Sequence, residues 1–293
     1  MLQQTQVKTA TPYFKNFIKK YPTQKKLSEA SEDQILALWS GLGFYRRARN
    51  IYKTKEIIKE KYNNRFPKEF HQLLELPGIG KSTAGAIMSL AYQNPHPILD
   101  GNVKRVITRL VNKNIDLLKE SQLWDLSSQF VNKENCFAYT QGIMDLGATV
   151  CTPTNPSCKD CPVQNQCMSA FNIINNKKRN VAQLKKVIPM NLSLIQTEDS
   201  LLLVKNEASS IWKNLWIPFE SRSLESYTNS FKLTSSQKIQ HELTHRRLNI
   251  KLNTYISTNE SKIKTNKKYK WIKKDRINEY GLPKPISKVI NEL

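Results

Sequence analysis

Two groups of residues have types and spacings that could do chemistry. One is Leu76-Pro-Gly-Ile-Gly-Lys-Ser-Thr-Ala84, followed by a lone carboxylate in Ile98-Leu-Asp-Gly101. Pro77 presets φ, and glycines such as Gly78 and Gly80 can take positive φ at no steric cost, so Pro77–Gly80 is too short for anything but a tight hairpin between two helices. Backbone N–H groups where the second helix begins, around Gly80, Lys81 and Ser82, then make an anion site. Asp100 lies just ahead of a helical run, where an aspartate commonly serves as N-cap. The other group is Cys151-x6-Cys158-x2-Cys161-x5-Cys167, four thiols within seventeen positions among Pro153, Pro156 and Pro162. Four thiolates in a short loop fit a [4Fe–4S] cluster or a structural zinc. Neither x6 nor x5 suits the paired knuckles of common zinc ribbons, yet spacing alone leaves both metals open. A lesser candidate is Phe44-Tyr-Arg-Arg-Ala-Arg49 after the Gly41-Leu-Gly43 break, where arginines interleaved with aromatics could stack and meet phosphates.

Helices must position these groups. Val7, Ala10, Tyr13, Phe14, Phe17 and Ile18 predict a helix over 2–20, which Pro22 stops. Ser31-Glu-Asp-Gln34 is a capping box opening a second, and a third runs from Phe44 to about Tyr62. Phe70–Leu76 and Ser82–Tyr92 flank the hairpin. Further helices are expected at Val103–Val111, 119–131 and 136–148, with Trp124, Leu126, Tyr139, Ile143, Met144 and Leu146 as core candidates. Cys136 stands apart and reads as a small buried hydrophobe. Composition shifts near Asn172, and a polar, basic linker is expected to about 188. Strand patterns follow: Leu192–Gln196 and Leu201–Lys205 flank a turn at Thr197-Glu-Asp199, and Leu248–Tyr255 alternates with period two. A short helix is expected after Pro285. No glutamate-rich helix of the kind a metal-dependent diphosphate hydrolase needs occurs there.

With 293 residues the chain can hold two cores. Lys+Arg 46 against Asp+Glu 24 gives a net charge of +22, a field that attracts polyanions. The abundance of Lys, Asn and Ile also fits an AT-rich coding bias, so charge alone is weak evidence. An odd five cysteines, four of them clustered, with no signal peptide and no long apolar run, suggests a soluble intracellular protein using thiols for metal.

Together these residues carry a resemblance. Met1-Leu-Gln-Gln-Thr-Gln-Val7, Trp39-Ser-Gly-Leu-Gly-Phe-Tyr45, Leu76–Ala86, Ile98–Arg105, Met144-Asp-Leu-Gly147 and the four cysteines resemble the bacterial adenine DNA glycosylases of the helix-hairpin-helix superfamily. Trp212, Leu215-Trp216, Pro218 and Leu282–Pro285 match more loosely. The resemblance implies a mainly α helix-hairpin-helix glycosylase domain over 1–171 with a [4Fe–4S] loop, a basic linker over 172–188, and an α+β, Nudix-like domain over 189–293 that recognises 8-oxoguanine. It implies a monofunctional enzyme of base excision repair that hydrolyses the N-glycosidic bond of adenine opposite 8-oxoguanine or guanine in double-stranded DNA. A cytoplasmic, nucleoid-associated monomer with no membrane contact is expected.

Roles are implied residue by residue. Asp100 stabilises the sugar cation and Asn102 helps position it. Gln4 and Thr5 enter the duplex near the lesion. Phe44 stands where tyrosine is usual and wedges beside it. Pro77, Gly78, Gly80, Lys81 and Ser82 contact DNA. Ser82 also stands where lyase-competent relatives carry a Schiff-base lysine. Leu243-Thr244-His245 replaces the usual Phe-Ser-His recognition loop, with Thr244 and His245 contacting DNA. Cys151, Cys158, Cys161 and Cys167 hold the cluster. The family's general-acid glutamate falls two residues before the position of Met1, so the chain as given is expected to bind lesion DNA and turn over poorly. The rival readings are a lesion-binding protein without catalysis, a bifunctional endonuclease III-like glycosylase/lyase and, more distantly, a zinc-ribbon DNA-binding module.

Overall fold

A computed structural model describes residues 1–172, 185–207, 211–221, 231–257 and 268–293. The helices are α1 (Val7–Lys20), α2 (Gln24–Ser28), α3 (Glu32–Leu38), α4 (Arg46–Tyr62), α5 (Phe70–Leu74), α6 (Lys81–Tyr92), α7 (Gly101–Leu110), α8 (Glu120–Phe130), α9 (Cys136–Asp145) and α10 (Lys284–Ile290). The strands are β1 (Lys186–Gln196), β2 (Ser200–Lys205), β3 (Trp216–Ile217), β4 (Phe219–Glu220), β5 (Lys232–Glu242), β6 (Arg246–Ile256) and β7 (Tyr269–Lys273). The chain forms two compact units, Met1–Glu60 with Val181–Leu293, and Lys61–Asn180. This packing cuts across the division by chain order that the linker pattern suggests.

In the first unit the Ser31 capping box opens α3, and Ile35, Leu36 and Trp39 are completely buried. They share one apolar cluster with Leu192, Leu201, Trp216, Leu252 and Ile286. Polar bonds reinforce it. Asp33 Oδ1 accepts from Lys205 Nζ at 3.0 Å and Trp216 Nε1 at 3.1 Å. Tyr45 donates its hydroxyl to Leu282 O at 3.1 Å, and Leu282 N–H donates to Ser40 Oγ at 3.2 Å.

The seven-stranded sheet has the order β3-β2-β1-β6-β5, with β4 also on β1 and β7 on β2. β1 and β6 pair in parallel from Lys186↔Arg246 to Gln196↔Ile256. Leu192–Ile195 is buried without alternation, whereas β6 alternates, as expected of a strand covered on both faces beside one covered on a single face.

Three expectations are corrected. The first helix starts at Val7, not residue 2, because the chain turns at Gln4 (φ 56) and Thr5 N–H bonds Leu2 O. Lys186–Ile188 belongs to β1 rather than to a linker, because β6 supplies a parallel partner; the linker's 173–184 lies outside the described residues. The last helix of the 136–148 pattern is α-helical only to Asp145 and continues as a π turn, Leu146–Val150.

The second unit packs α7, α8 and α9 around Val103, Val106, Ile107, Leu123, Leu126 and Ile143, with Trp124, Tyr139, Met144 and Leu146 partly buried against them. Cys136 is buried, as its isolation suggests.

Candidate active site and cysteine loop

α5 ends at Leu74 and α6 starts at Lys81, so Glu75–Gly80 makes the hairpin. Gly78 has φ 83, a value that favours glycine. Gly80 is the N-cap of α6 and offers no side chain to the helix's first N–H groups, and a Cβ there would meet nothing within 4 Å. That end of the helix is therefore open to an anion. Lys81 is exposed and its ammonium lies 4.2 Å from the Trp124 ring centroid. Ser82 turns inward instead, accepting the Leu99 N–H at 2.9 Å.

That bond is one of three features that fix the segment leading to Asp100. Ser127 Oγ donates to Ile98 O at 2.7 Å, and Gly85 lets Pro97 O approach to 2.3 Å from where a Cβ would stand. Asp100 then caps α7, its Oδ1 accepting the N–H groups of Asn102 and Val103 at 2.8 Å each. The cap expected at this position is observed. Asp100 remains exposed, and among the described residues nothing donates to Oδ2.

Asn102 is held by Arg105, whose Nη2 donates to Asn102 Oδ1 at 2.8 Å and to Gly147 O at 2.6 Å, while Nε donates to Cys151 O at 2.8 Å. Gly147 is glycine for a packing reason: its Cβ would fall 2.7 Å from Asn102 Cβ. One turn on, Arg109 donates to Thr152 O at 2.7 Å, Pro153 O at 2.9 Å and Cys151 Sγ at 3.4 Å. Sequence reasoning missed both arginines. Their i, i+4 spacing on α7 was visible, but their acceptors are main-chain carbonyls, which no residue pattern reveals.

Cys151, Cys158, Cys161 and Cys167 line one cavity of about 30 Å³ together with Arg109 and Pro156. Burial pushes the Cys167 thiol up, so binding a metal there must displace its proton.

The other site candidates lie in the first unit. Gln4 and Phe44 are exposed, at left-handed φ of 56 and 47; Thr5 is half-buried beside Gln4. The expected phosphate surface of Arg46, Arg47 and Arg49 is corrected for two of them. Arg47 donates to the carbonyls of Met1, Gln3 and Gly43, and Arg49 to Lys213 O at 2.9 Å, because carbonyls left outside regular structure need donors. Thr244 and His245 are exposed at the tip of the β5–β6 hairpin, closed by Leu243 N–H to Arg246 O at 2.8 Å.

Residues 1–123 match the HhH-GPD superfamily base excision DNA repair protein family, and residues 191–292 match the NUDIX domain. An adenine DNA glycosylase of Buchnera aphidicola subsp. Schizaphis graminum is 38% identical over 99% of this chain and 88% of its own length. Among solved structures, a thermostable thymine-DNA glycosylase superposes with a TM-score of 0.54 at 26% identity, over 59% of this chain and 81% of that one. A trapped endonuclease III–DNA covalent intermediate superposes with a TM-score of 0.51 at 25% identity, over 57% and 79%. No helix among the described residues is long and apolar enough to cross a membrane. Similarity that runs nearly end to end through both the hairpin and the sheet places this chain in the adenine DNA glycosylase family.

Proposed function

We propose that this chain is a monofunctional adenine DNA glycosylase of base excision repair, acting in the bacterial cytoplasm as a monomer on double-stranded DNA with adenine opposite 8-oxoguanine or guanine. The observation that carries the proposal is Asp100, exposed at the N-terminus of α7, which uses Oδ1 for the cap while nothing among the described residues donates to Oδ2.

Cleaving an N-glycosidic bond passes through an oxocarbenium-like state. A carboxylate oxygen already fixed in direction stabilises that charge without reorganising. The target base must leave the stack to be reached, and the open end of α6, with Lys81 beside it, suits a backbone phosphate of the distorted duplex. Asn102, clamped by Arg105, positions the start of α7. Ser82 cannot form a Schiff base, and its hydroxyl is engaged by Leu99 N–H, which supports hydrolysis without a lyase step. Gln4, Thr5 and Phe44 would enter the duplex, and Thr244 and His245 would read the opposite 8-oxoguanine.

Cys151, Cys158, Cys161 and Cys167 would hold a [4Fe–4S] cluster. Four cysteines lining one cavity fit a [4Fe–4S] cluster, which takes one thiolate per iron. The cluster would supply iron–thiolate bonds that cross-link the 151–167 loop, while Arg109 donates toward Cys151 Sγ.

The test is single-turnover release of adenine from a duplex holding it opposite 8-oxoguanine, by the chain as given and by a version extended with a glutamate-bearing N-terminal helix. Adenine release abolished by D100A, with the strand left intact until alkali is added, is expected in the extended form. Release that survives D100A, or strand cleavage with a borohydride-trappable adduct, would overturn the proposal.

A further inference from the structure

Arg47 joins two exposed tips of the first unit that are distant in sequence. Its Nη1 donates to Met1 O and Gln3 O at 2.5 Å each, and its Nη2 to Gly43 O at 3.3 Å. The guanidinium carbon lies 5.3 Å from the Trp39 ring centroid and 5.3 Å from that of Phe44. Trp39 is completely buried and donates Nε1 to the same Gly43 carbonyl at 3.0 Å, so one ring under the cation is immobile. The residues immediately after Gln3 and Gly43 are Gln4 and Phe44. Both occupy the left-handed region, which is unfavourable for side chains of their kind and persists only where neighbours impose it. Arg47 Nε is buried and bonds nothing, so the donors that do engage are those turned toward the two tips.

We infer that Arg47 is a positioning residue that holds the main chain before Gln4 and the ring of Phe44 on one planar cation, and thereby sets lesion discrimination rather than general DNA affinity. This rests on the reading that Gln4 and Phe44 enter the duplex. A lysine cannot replace it, because a point charge on a flexible stem does not fork between carbonyls as a planar guanidinium does. Nor is Arg47 a phosphate ligand, since its outer nitrogens are committed to internal carbonyls.

The experiment measures fluorescence anisotropy of the full chain on a short duplex with adenine opposite 8-oxoguanine and on the same duplex with adenine opposite thymine, across a salt series. A 2′-fluoro sugar at the adenine prevents hydrolysis. The variants are R47M, R47K, the pair Q4A/F44A, and R47M in the Q4A/F44A background. R47M and R47K are each expected to lose about tenfold of the preference for the lesion duplex, with the salt slope unchanged. R47M should cost nothing further once Gln4 and Phe44 are already truncated. Retained preference in both arginine variants, or an added loss in the truncated background, would overturn the inference. So would a slope shallower by about 0.9, the mark of a lost phosphate contact. If Q4A/F44A itself keeps full preference, the reading of the two wedges falls and the inference with it. That result is distinct from the case in which the wedges matter and Arg47 does not. Thermal melts check folding, and R47K, which keeps the charge, carries the test if R47M does not fold.

Discussion

Replacing Gly85 by alanine should destabilise the second unit although it removes a glycine from the middle of a helix. On propensity alone the change favours α6 by about 0.8–1.0 kcal/mol. The added Cβ, however, would sit 2.3 Å from Pro97 O, 3.3 Å from Pro97 C and 3.4 Å from Ile98 Cγ2. The main chain at 97–98 would have to retreat by about 1 Å in a close-packed interior. It cannot do so freely, because Ser127 holds Ile98 O at 2.7 Å and Ser82 holds Leu99 N–H at 2.9 Å. Overpacking of this kind costs about 1–3 kcal/mol, and a weakened buried hydrogen bond about 1 kcal/mol more. The net loss is then about 1–3 kcal/mol after the propensity gain. Gly142 is the internal control. It lies within α9 and its Cβ would meet nothing within 4 Å, so G142A should gain the propensity term undiminished. Differential scanning calorimetry of the wild type and both variants reads the outcome. The expected midpoints are about 5 °C lower for G85A and about 2–3 °C higher for G142A. A G85A variant melting at or above the wild type would refute the close-approach argument.

Further outcomes follow from other bonds. D100N should keep α7 capped, since asparagine is as good an N-cap, and leave the melt within about 0.5 kcal/mol of wild type, while the extended enzyme's single-turnover rate falls at least a hundredfold by quench-flow. D33A removes the shared acceptor of Lys205 and Trp216 and should cost about 1–3 kcal/mol by urea unfolding. His241 has its pKa lowered, first by burial and then by the Lys284 charge. The folded protein therefore binds fewer protons than the unfolded chain below the ordinary imidazole value, so the stabilisation present above that value is lost as pH falls through the lowered one. The melting temperature of wild type should drop more steeply than that of H241Q over this window, measured by melts in a graded buffer series.

Local signals in the sequence were enough to determine the hairpin, the Ser31 capping box, the cap at Asp100 and the spacing of the four thiols. Each depends on residues a few positions apart, where proline, glycine and short polar side chains act on their own backbone. The period-two alternation of β6 was legible for the same reason. The sequence also carried the resemblance that implies a role for Asp100 beyond the cap. Only the tertiary structure decided that residues 1–60 share a core with the sheet, since Trp39 and Leu215 are apolar in any partnership. It alone separated arginines of one run into different uses, Arg47 on Met1 and Gln3 and Arg49 on Lys213. It also turned Ser82 inward to Leu99 and set Arg105 between Asn102 and Cys151. The acceptors in these cases are main-chain groups. Every residue carries the same carbonyl and amide, so a sequence shows which side chain can donate but not which backbone group will be within its reach.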